Sequence, residues 1–318
     1  MTNTSRRTTV FGGSGFIGRY VVKRLAARGD VVRVAVRDPV AAAFLKPMGA
    51  VGQVVPMRVN ISDDAAVAES LRGCDAVVNL VGILYESGTQ RFEAIQAQAP
   101  ERIAAAAKAA GVAEFVQISA IGADAGSPSL YARTKAAGEA GVRRHFPAAP
   151  ILRPSIVFGP EDGFFNRFAA MAQLAPALPL IGGGTTKFQP VFVGDVAEAV
   201  LRVLGNPAAI GKTFELGGPR VASFRELMEF MFRTTGRSRP LVGIPFGLAT
   251  LMAAVAEKLP MPLLTRDQVA LLRHDNVVAE GAPDLRSLGV DPTAMEAVVP
   301  QYLEIFRRGG RYAASRFA

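Results

Sequence analysis

Val10-Phe-Gly-Gly-Ser-Gly-Phe-Ile-Gly18 is the stretch that decides the fold. It places Gly12, Gly15 and Gly18 at a G-x-x-G-x-x-G spacing, directly after the β-branched run Thr8–Phe11 and at the start of an amphipathic stretch that predicts a helix over 17–28. Dinucleotide phosphates reach backbone N–H groups only where no Cβ stands in the way, and a helix N-terminus adds a favourable dipole. In that reading Gly12 makes the turn, Gly15 admits the pyrophosphate and Gly18 lets the helix close on the strand, with Ser14, Phe16 and Ile17 in the same cradle. A tight strand-to-helix turn with no ligand uses the same glycines. The flanking strand and helix, and a second strand at the right distance, favour the nucleotide.

That second strand, Val31–Val36, ends in Arg37 and then Asp38. An acidic residue at this end hydrogen-bonds the ribose 2′-OH of NAD, whereas an arginine accommodates the 2′-phosphate of NADP. Arg37 holds the end position and favours NADP(H); Asp38 competes if the strand ends one residue later. Further strands are expected at Gln53–Met57, Ala76–Leu80, Phe115–Ile118 and Ile151–Arg153, alternating with helices near Pro39–Leu45, Asp64–Leu71, Arg91–Ala110 and Leu130–His145. Strands alternating with helices imply βαβ units, hence an α/β chain of Rossmann type with a doubly wound parallel sheet and a ligand crevice at the strand carboxyl ends. After Pro154 the rhythm is broken by Gly159-Pro160, Pro176, Pro179 and Gly182–Gly184. The expected organisation is a dinucleotide-binding domain over 1–153, to which 188–217 returns, with 154–187 and 218–318 as a smaller, irregular C-terminal lobe.

Composition narrows the class. Half of the 318 residues are apolar and a fifth are charged, as in a folded globular chain. The single cysteine, Cys74, excludes an internal disulfide and a cysteine-based zinc cluster, and fits a reducing compartment. His145 and His274 have no ligand spacing, so no metal is expected. Neither an export signal nor a spanning segment of ~20 apolar residues is read. The net charge of +9 invites a nucleic-acid reading, but only seven of the 36 basic residues are lysine and no nucleic-acid motif accompanies them. Arg307, Arg308, Arg311 and Arg316 make the C-terminal tail a candidate contact for anionic lipid head groups or an acidic partner, against the plainer reading of a solvated terminus.

Tyr131-Ala-Arg-Thr-Lys135 lies in the helix after the fifth strand, and its i, i+4 spacing brings phenol and ammonium to one face. A cation beside a tyrosine lowers its pKa and makes it a usable general acid in carbonyl reduction. An amphipathic helix with an exposed lysine gives the same pair.

Together with the glycine turn and Tyr131–Lys135, Leu152–Pro160 and Gln189–Val196 resemble the extended and atypical short-chain dehydrogenase/reductases over most of residues 8–220. Several phrases are most similar to one branch, the nucleotide-binding accessory subunits of respiratory complex I: Asn79–Ile83, Tyr131–Glu139, Pro154–Asp162 and Leu264–Val269. The resemblance implies a tightly held NADPH contacted by the glycine cradle, Arg37, Asn60, Ile61, Val81, Gly82, Ile118, Tyr131, Lys135, Pro154 and Ile156. Asn60 stands where the family usually has an aspartate near the adenine. The family's catalytic serine falls in Gln117-Ile-Ser-Ala-Ile-Gly122, which supplies Ser119 but has Ala120 in the second place of the usual serine pair. Two functions stay open. One is a non-catalytic NADP(H)-binding accessory subunit of the complex I peripheral arm, on the cytoplasmic face of the inner (plasma) membrane. The other is a free NADPH-dependent reductase or epimerase acting on a quinone, isoprenoid or sugar-type carbonyl.

Overall fold

A computed structural model describes residues 5–257, 259 and 264–310, so Arg311 and Arg316 of the basic tail lie outside the described residues. In chain order the elements are β1 (Arg7–Phe11), α1 (Phe16–Ala27), β2 (Val31–Val36), β3 (Val54–Arg58), α2 (Asp64–Ser70), β4 (Ala76–Asn79), α3 (Ala99–Ala109), β5 (Glu114–Ile118), α4 (Leu130–His145), β6 (Ile151–Pro154), β7 (Val157–Phe158), α5 (Phe165–Leu174), β8 (Leu178–Ile181), β9 (Lys187–Phe188) and β10 (Val191–Phe192). They continue with α6 (Val193–Val203), β11 (Thr213–Leu216), β12 (Ala222–Ser223), α7 (Phe224–Thr235), β13 (Leu241–Ile244), α8 (Phe246–Ala256), α9 (Arg266–Leu271) and α10 (Met295–Leu303).

Two compact units emerge. The first comprises Met1–Pro154, Gly194–Leu216 and Gly281–Val290; the second comprises Ser155–Val193, Gly217–Glu280 and Asp291–Ala318. The first unit is a seven-stranded parallel sheet in the order β11-β6-β5-β4-β1-β2-β3, the doubly wound Rossmann arrangement expected from the sequence. β11 pairs with β6 in register Thr213↔Ile151 to Leu216↔Pro154 and adds a seventh strand to the six that begin the chain. Strand order reverses between β1 and β4, paired Phe11↔Asn79 at their carboxyl ends, so the turns after these two strands meet where such sheets bind ligands. Both sheet faces are covered, and even the polar residues of β1 are buried: Thr8 Oγ1 donates to Asp30 Oδ2 (2.7 Å) and Thr9 Oγ1 to the Ser70 carbonyl (3.1 Å).

Three local readings differ from expectation. Over Pro39–Leu45 no α-helix forms; Asp38 Oδ1 instead accepts the amides of Val40 (2.9 Å) and Ala41 (3.2 Å), and a 3-10 segment follows over Ala43–Met48 with Pro47 inside it. The helix expected over Arg91–Ala110 opens with a wider π turn at Glu93–Gln98 before α3. Residues 188–217 begin with a segment expected as one strand over Gln189–Val193, of which only the two-residue β10 forms, paired with β7 in the second unit.

The second unit packs two-stranded ribbons and helices around Phe158, Phe165, Phe188, Phe224, Phe230 and Phe232, all buried. Ser223 caps α7 by accepting from the Glu226 amide (3.2 Å) while Glu226 accepts from the Ser223 amide (2.7 Å), which fixes where the helix starts.

Candidate functional site

The glycine turn owes its shape to backbone approach that side chains forbid. Gly12 has φ +76°, and a Cβ there would lie 3.2 Å from Leu80 C and Val81 N, so the turns after β1 and β4 touch through backbone. A Cβ on Gly18 would stand 2.3 Å from the Gly12 carbonyl oxygen, a contact no rearrangement of a flexible side chain relieves. At the N-cap of α1, Gly15 is exposed and makes no side-chain cap, which leaves the first-turn amides of Phe16, Ile17 and Gly18 without a capping acceptor. Ser14, Phe16 and Ile17 are half-buried around them. This is a positive helix end bordered by Cβ-free backbone, the donor set that an anionic diphosphate requires.

Arg37 is exposed one residue past β2. Asp38, its competitor for a ribose, already uses Oδ1 to hold the backbone of the following turn. Asn60 is exposed and its Oδ1 accepts from the Ser62 amide (3.0 Å), while Ile61 packs half-buried against the core.

After β4, Asn79 organises the strand ends. Its Oδ1 accepts from the Val81 amide (3.2 Å), and its Nδ2 donates to Gln117 Oε1 (2.9 Å), whose own amide donates to the Ile118 carbonyl (2.7 Å). This buried amide chain runs from β4 to β5, setting Val81 and Gly82 beside the end of β5 and leading into Ser119. Ser119 is buried, and its backbone amide is fixed by the Leu152 carbonyl (2.7 Å), yet its Oγ has no hydrogen-bond partner among the described residues. A buried hydroxyl at a strand carboxyl end with no protein partner could bond a ligand placed there.

Tyr131 and Lys135 lie on α4, which begins where Ser129 Oγ accepts the Ala132 amide (3.2 Å) and ends in Arg143, Arg144 and His145, cations that suit a helix C-terminus. The Tyr131 ring stacks edge-on with Phe92 at 5.8 Å, and Lys135 Nζ lies 5.8 Å from the tyrosine ring centroid. Lys135 is buried, and a Cβ on Gly82 would sit 3.1 Å from its Nζ. Burial lowers the lysine pKa to about 8, opposed by the charge of Glu139 one turn along the helix. Glu139 does not form a close pair with the lysine; both its oxygens receive the Arg153 guanidinium, Nε at 2.8 Å and Nη2 at 2.7 Å. Glu139 and Arg153 belong to no catalytic motif of the sequence, although Glu139 stands i+4 from Lys135.

Glycine cradle, Arg37, Asn79–Gly82, Ser119, Tyr131, Lys135 and Pro154 therefore belong to one unit at the carboxyl ends of one sheet. Ile156 does not: it lies in the second unit, half-buried against that unit's aromatic core. Among the described residues no cluster of His, Cys, Asp and Glu has the makings of a metal site, and no helix is long and apolar enough to cross a membrane.

Residues 8–217 match the NAD dependent epimerase/dehydratase family. The chain is 38% identical over 314 residues, 95% of its own length and 78% of the relative's, to the mitochondrial NADH dehydrogenase (ubiquinone) 1 alpha subcomplex subunit 9 of Arabidopsis thaliana. It is 30% identical over 198 residues to a ceramide reductase of Caulobacter vibrioides, covering 62% of this chain and 61% of that one. Among solved structures it resembles an NADPH-dependent quinone oxidoreductase of Escherichia coli complexed with NADPH, with a TM-score of 0.71, 19% identity and coverage of 93% and 99% of the two chains.

Proposed function

The chain belongs to the NAD dependent epimerase/dehydratase family and, within it, groups with the alpha subcomplex subunit 9 proteins; from that premise we propose that it is an NADP(H)-holding accessory subunit of a proton-translocating NADH:quinone oxidoreductase. The observation that carries this reading is similarity from end to end. The match to the plant subunit runs over 95% of the chain, second unit included, whereas the match to the reductase covers 62%.

The residues present suit a dinucleotide. Gly12, Ser14, Gly15, Phe16, Ile17 and Gly18 would receive the pyrophosphate on free amides, Arg37 would pair with a 2′-phosphate, and Asn60 and Ile61 would border the adenine. The engagement of Asp38 by its own turn supports NADP over NAD. Val81, Gly82, Ile118, Ser119, Tyr131, Lys135 and Pro154 would surround the nicotinamide end. A bound nicotinamide supplies a two-electron redox couple; the chain supplies a cation at Lys135, a phenol at Tyr131 and a hydroxyl at Ser119. The second unit supports a structural role, because its core is packed with its own aromatic rings, Phe164 lying edge-on to Phe165, Phe168 and Phe224 at 5.2–6.0 Å.

A second reading, a free NADPH-dependent reductase, is favoured by one observation: buried Lys135 lies beside Tyr131, its Nζ 5.8 Å from the ring centroid, so a cation and a phenol are held together. Gentle solubilisation of membranes from the native source, followed by affinity capture of the tagged chain, separates the two. Recovery with NADH:quinone oxidoreductase activity is the expected result. A chain found apart from that activity, and oxidising NADPH when given a quinone or isoprenoid ketone, overturns the subunit reading.

A further inference from the structure

Helix α8 reverses the usual placement of large and small side chains. Its inward positions are alanines, Ala249 and Ala253, fully buried against Ile181 and Val269. Its large side chains lie on the outside: Leu248, Leu251, Met252 and Val255 are between 47% and 70% exposed, at the i, i+3, i+4, i+7 spacing of one stripe, and Leu259 beyond the helix end is 57% exposed.

We propose that this stripe seats in the boundary between head groups and acyl chains of an anionic bilayer. Three observations choose a lipid surface over a protein. First, Ile244–Ala256 contains no charged residue, and its one hydroxyl, Thr250 Oγ1, is satisfied within the helix by the Phe246 carbonyl (2.8 Å). Protein interfaces carry about one hydrogen bond per 100–200 Å², whereas a hydrocarbon surroundings requires that polar groups be satisfied internally. Second, the stripe exposes on the order of 500 Å², short of the ~800 Å² per partner of a stable protein–protein interface. Third, a cation stands at the start of the helix, and the arginine at its far end is paired. The Arg273 guanidinium lies 4.7 Å from the Phe246 ring centroid at the start of the helix, and Arg266 reaches back to Glu257 (2.8 Å) at its end. The chain as a whole carries +9, complementary to anionic head groups. Eleven residues rise only ~16 Å, so the helix lies in the membrane plane and does not span it.

The chain has no tryptophan, which gives the test a clean signal. Leu251→Trp in the full-length protein places its only indole on the stripe, and Val40→Trp places one at an 81% exposed position in the first unit as the control. With phosphatidylglycerol-containing vesicles the protein is expected to float with the lipid, and the indole at position 251 to shift its emission to the blue while that at 40 does not. Leu251→Asp combined with Val255→Asp should reduce flotation about tenfold or more, with thermal unfolding and circular dichroism unchanged to show that the fold persists. No flotation of the parent protein overturns the proposal. So does a blue shift at 251 that appears without vesicles as protein concentration rises, together with a doubled mass, which would make a second copy the occupant.

Discussion

In the first unit the turn after β1 is lined by glycines and runs into a helix with no side-chain cap, and at the end of β5 Ser119 Oγ is buried without a partner among the described residues. The second unit has a run of three glycines of its own, Gly182–Gly184, of which Gly183 is open while a Cβ on Gly182 would meet the Phe246 ring at 2.3 Å and one on Gly184 would meet Leu180 and Arg225 at 3.1–3.2 Å; the unit's core is packed with edge-on phenylalanines. Glycine marks both, and the difference lies in what stays unsatisfied around it. A segment that leaves amides and a hydroxyl without acceptors or donors could hold a ligand, as we propose; one that closes on its own rings contributes to stability.

The sharpest way to break that contrast is to damage each unit separately. Phe165→Ala removes a fully buried ring from the second unit and should cost ~3–5 kcal/mol of unfolding free energy by denaturant titration, with the nucleotide content of the folded fraction unchanged. Gly18→Ala in the first unit forces a Cβ against the Gly12 carbonyl; it should cost ~2–4 kcal/mol and abolish nucleotide retention, whereas Gly163→Ala, where a Cβ meets nothing within 4 Å, should alter neither.

Lys135 sharpens the contrast through pH. Its pKa is lowered to about 8 in the fold, so between that value and the ordinary lysine range the unfolded chain binds the extra proton and stability rises with pH. The penalty of burying the ammonium is full below pH 8 and is lost by about pH 10.5. Nucleotide-free Lys135→Met should therefore exceed the parent by about 3 kcal/mol at pH 7, a gap that closes as pH rises. A gap independent of pH would contradict the burial. The smallest effect is expected at Arg37: Arg37→Ala should weaken NADPH by ~10–100-fold in a titration and leave NADH unchanged.

Much of the first unit was legible because its signals are local. The glycine spacing fell on the turn between β1 and α1, and the helix expected at Leu130–His145 formed with those bounds. The π turn at Glu93–Gln98 was not legible, since one extra residue in a turn barely disturbs an alanine-rich periodicity. Nor was the outcome at Pro39–Leu45 legible: Asp38 caps the turn as it would cap a helix, but after the Ala42 amide to the Asp38 carbonyl the backbone bonds tighten to i→i−3, Ala43 to Val40 and Leu45 to Ala42, and a 3-10 segment containing Pro47 follows. The pairing of Val191–Phe192 with β7 is a tertiary contact that no local signal specifies. Gly281–Val290 joins the first unit through contacts such as the Glu215 amide to the Pro283 carbonyl (2.8 Å), and no feature of its own sequence points there. In the site, residue types at fixed spacing were readable, but the Arg153 clamp on Glu139 spans two elements and depends on the fold.

The account stands most directly on what the purified chain carries. Denaturing it and identifying the released nucleotide, after incubation with labelled NADPH to measure exchange, should yield close to one NADP(H) per chain with little label incorporated. Release of no nucleotide, together with no binding on titration, or release of NAD(H) in its place, would contradict it.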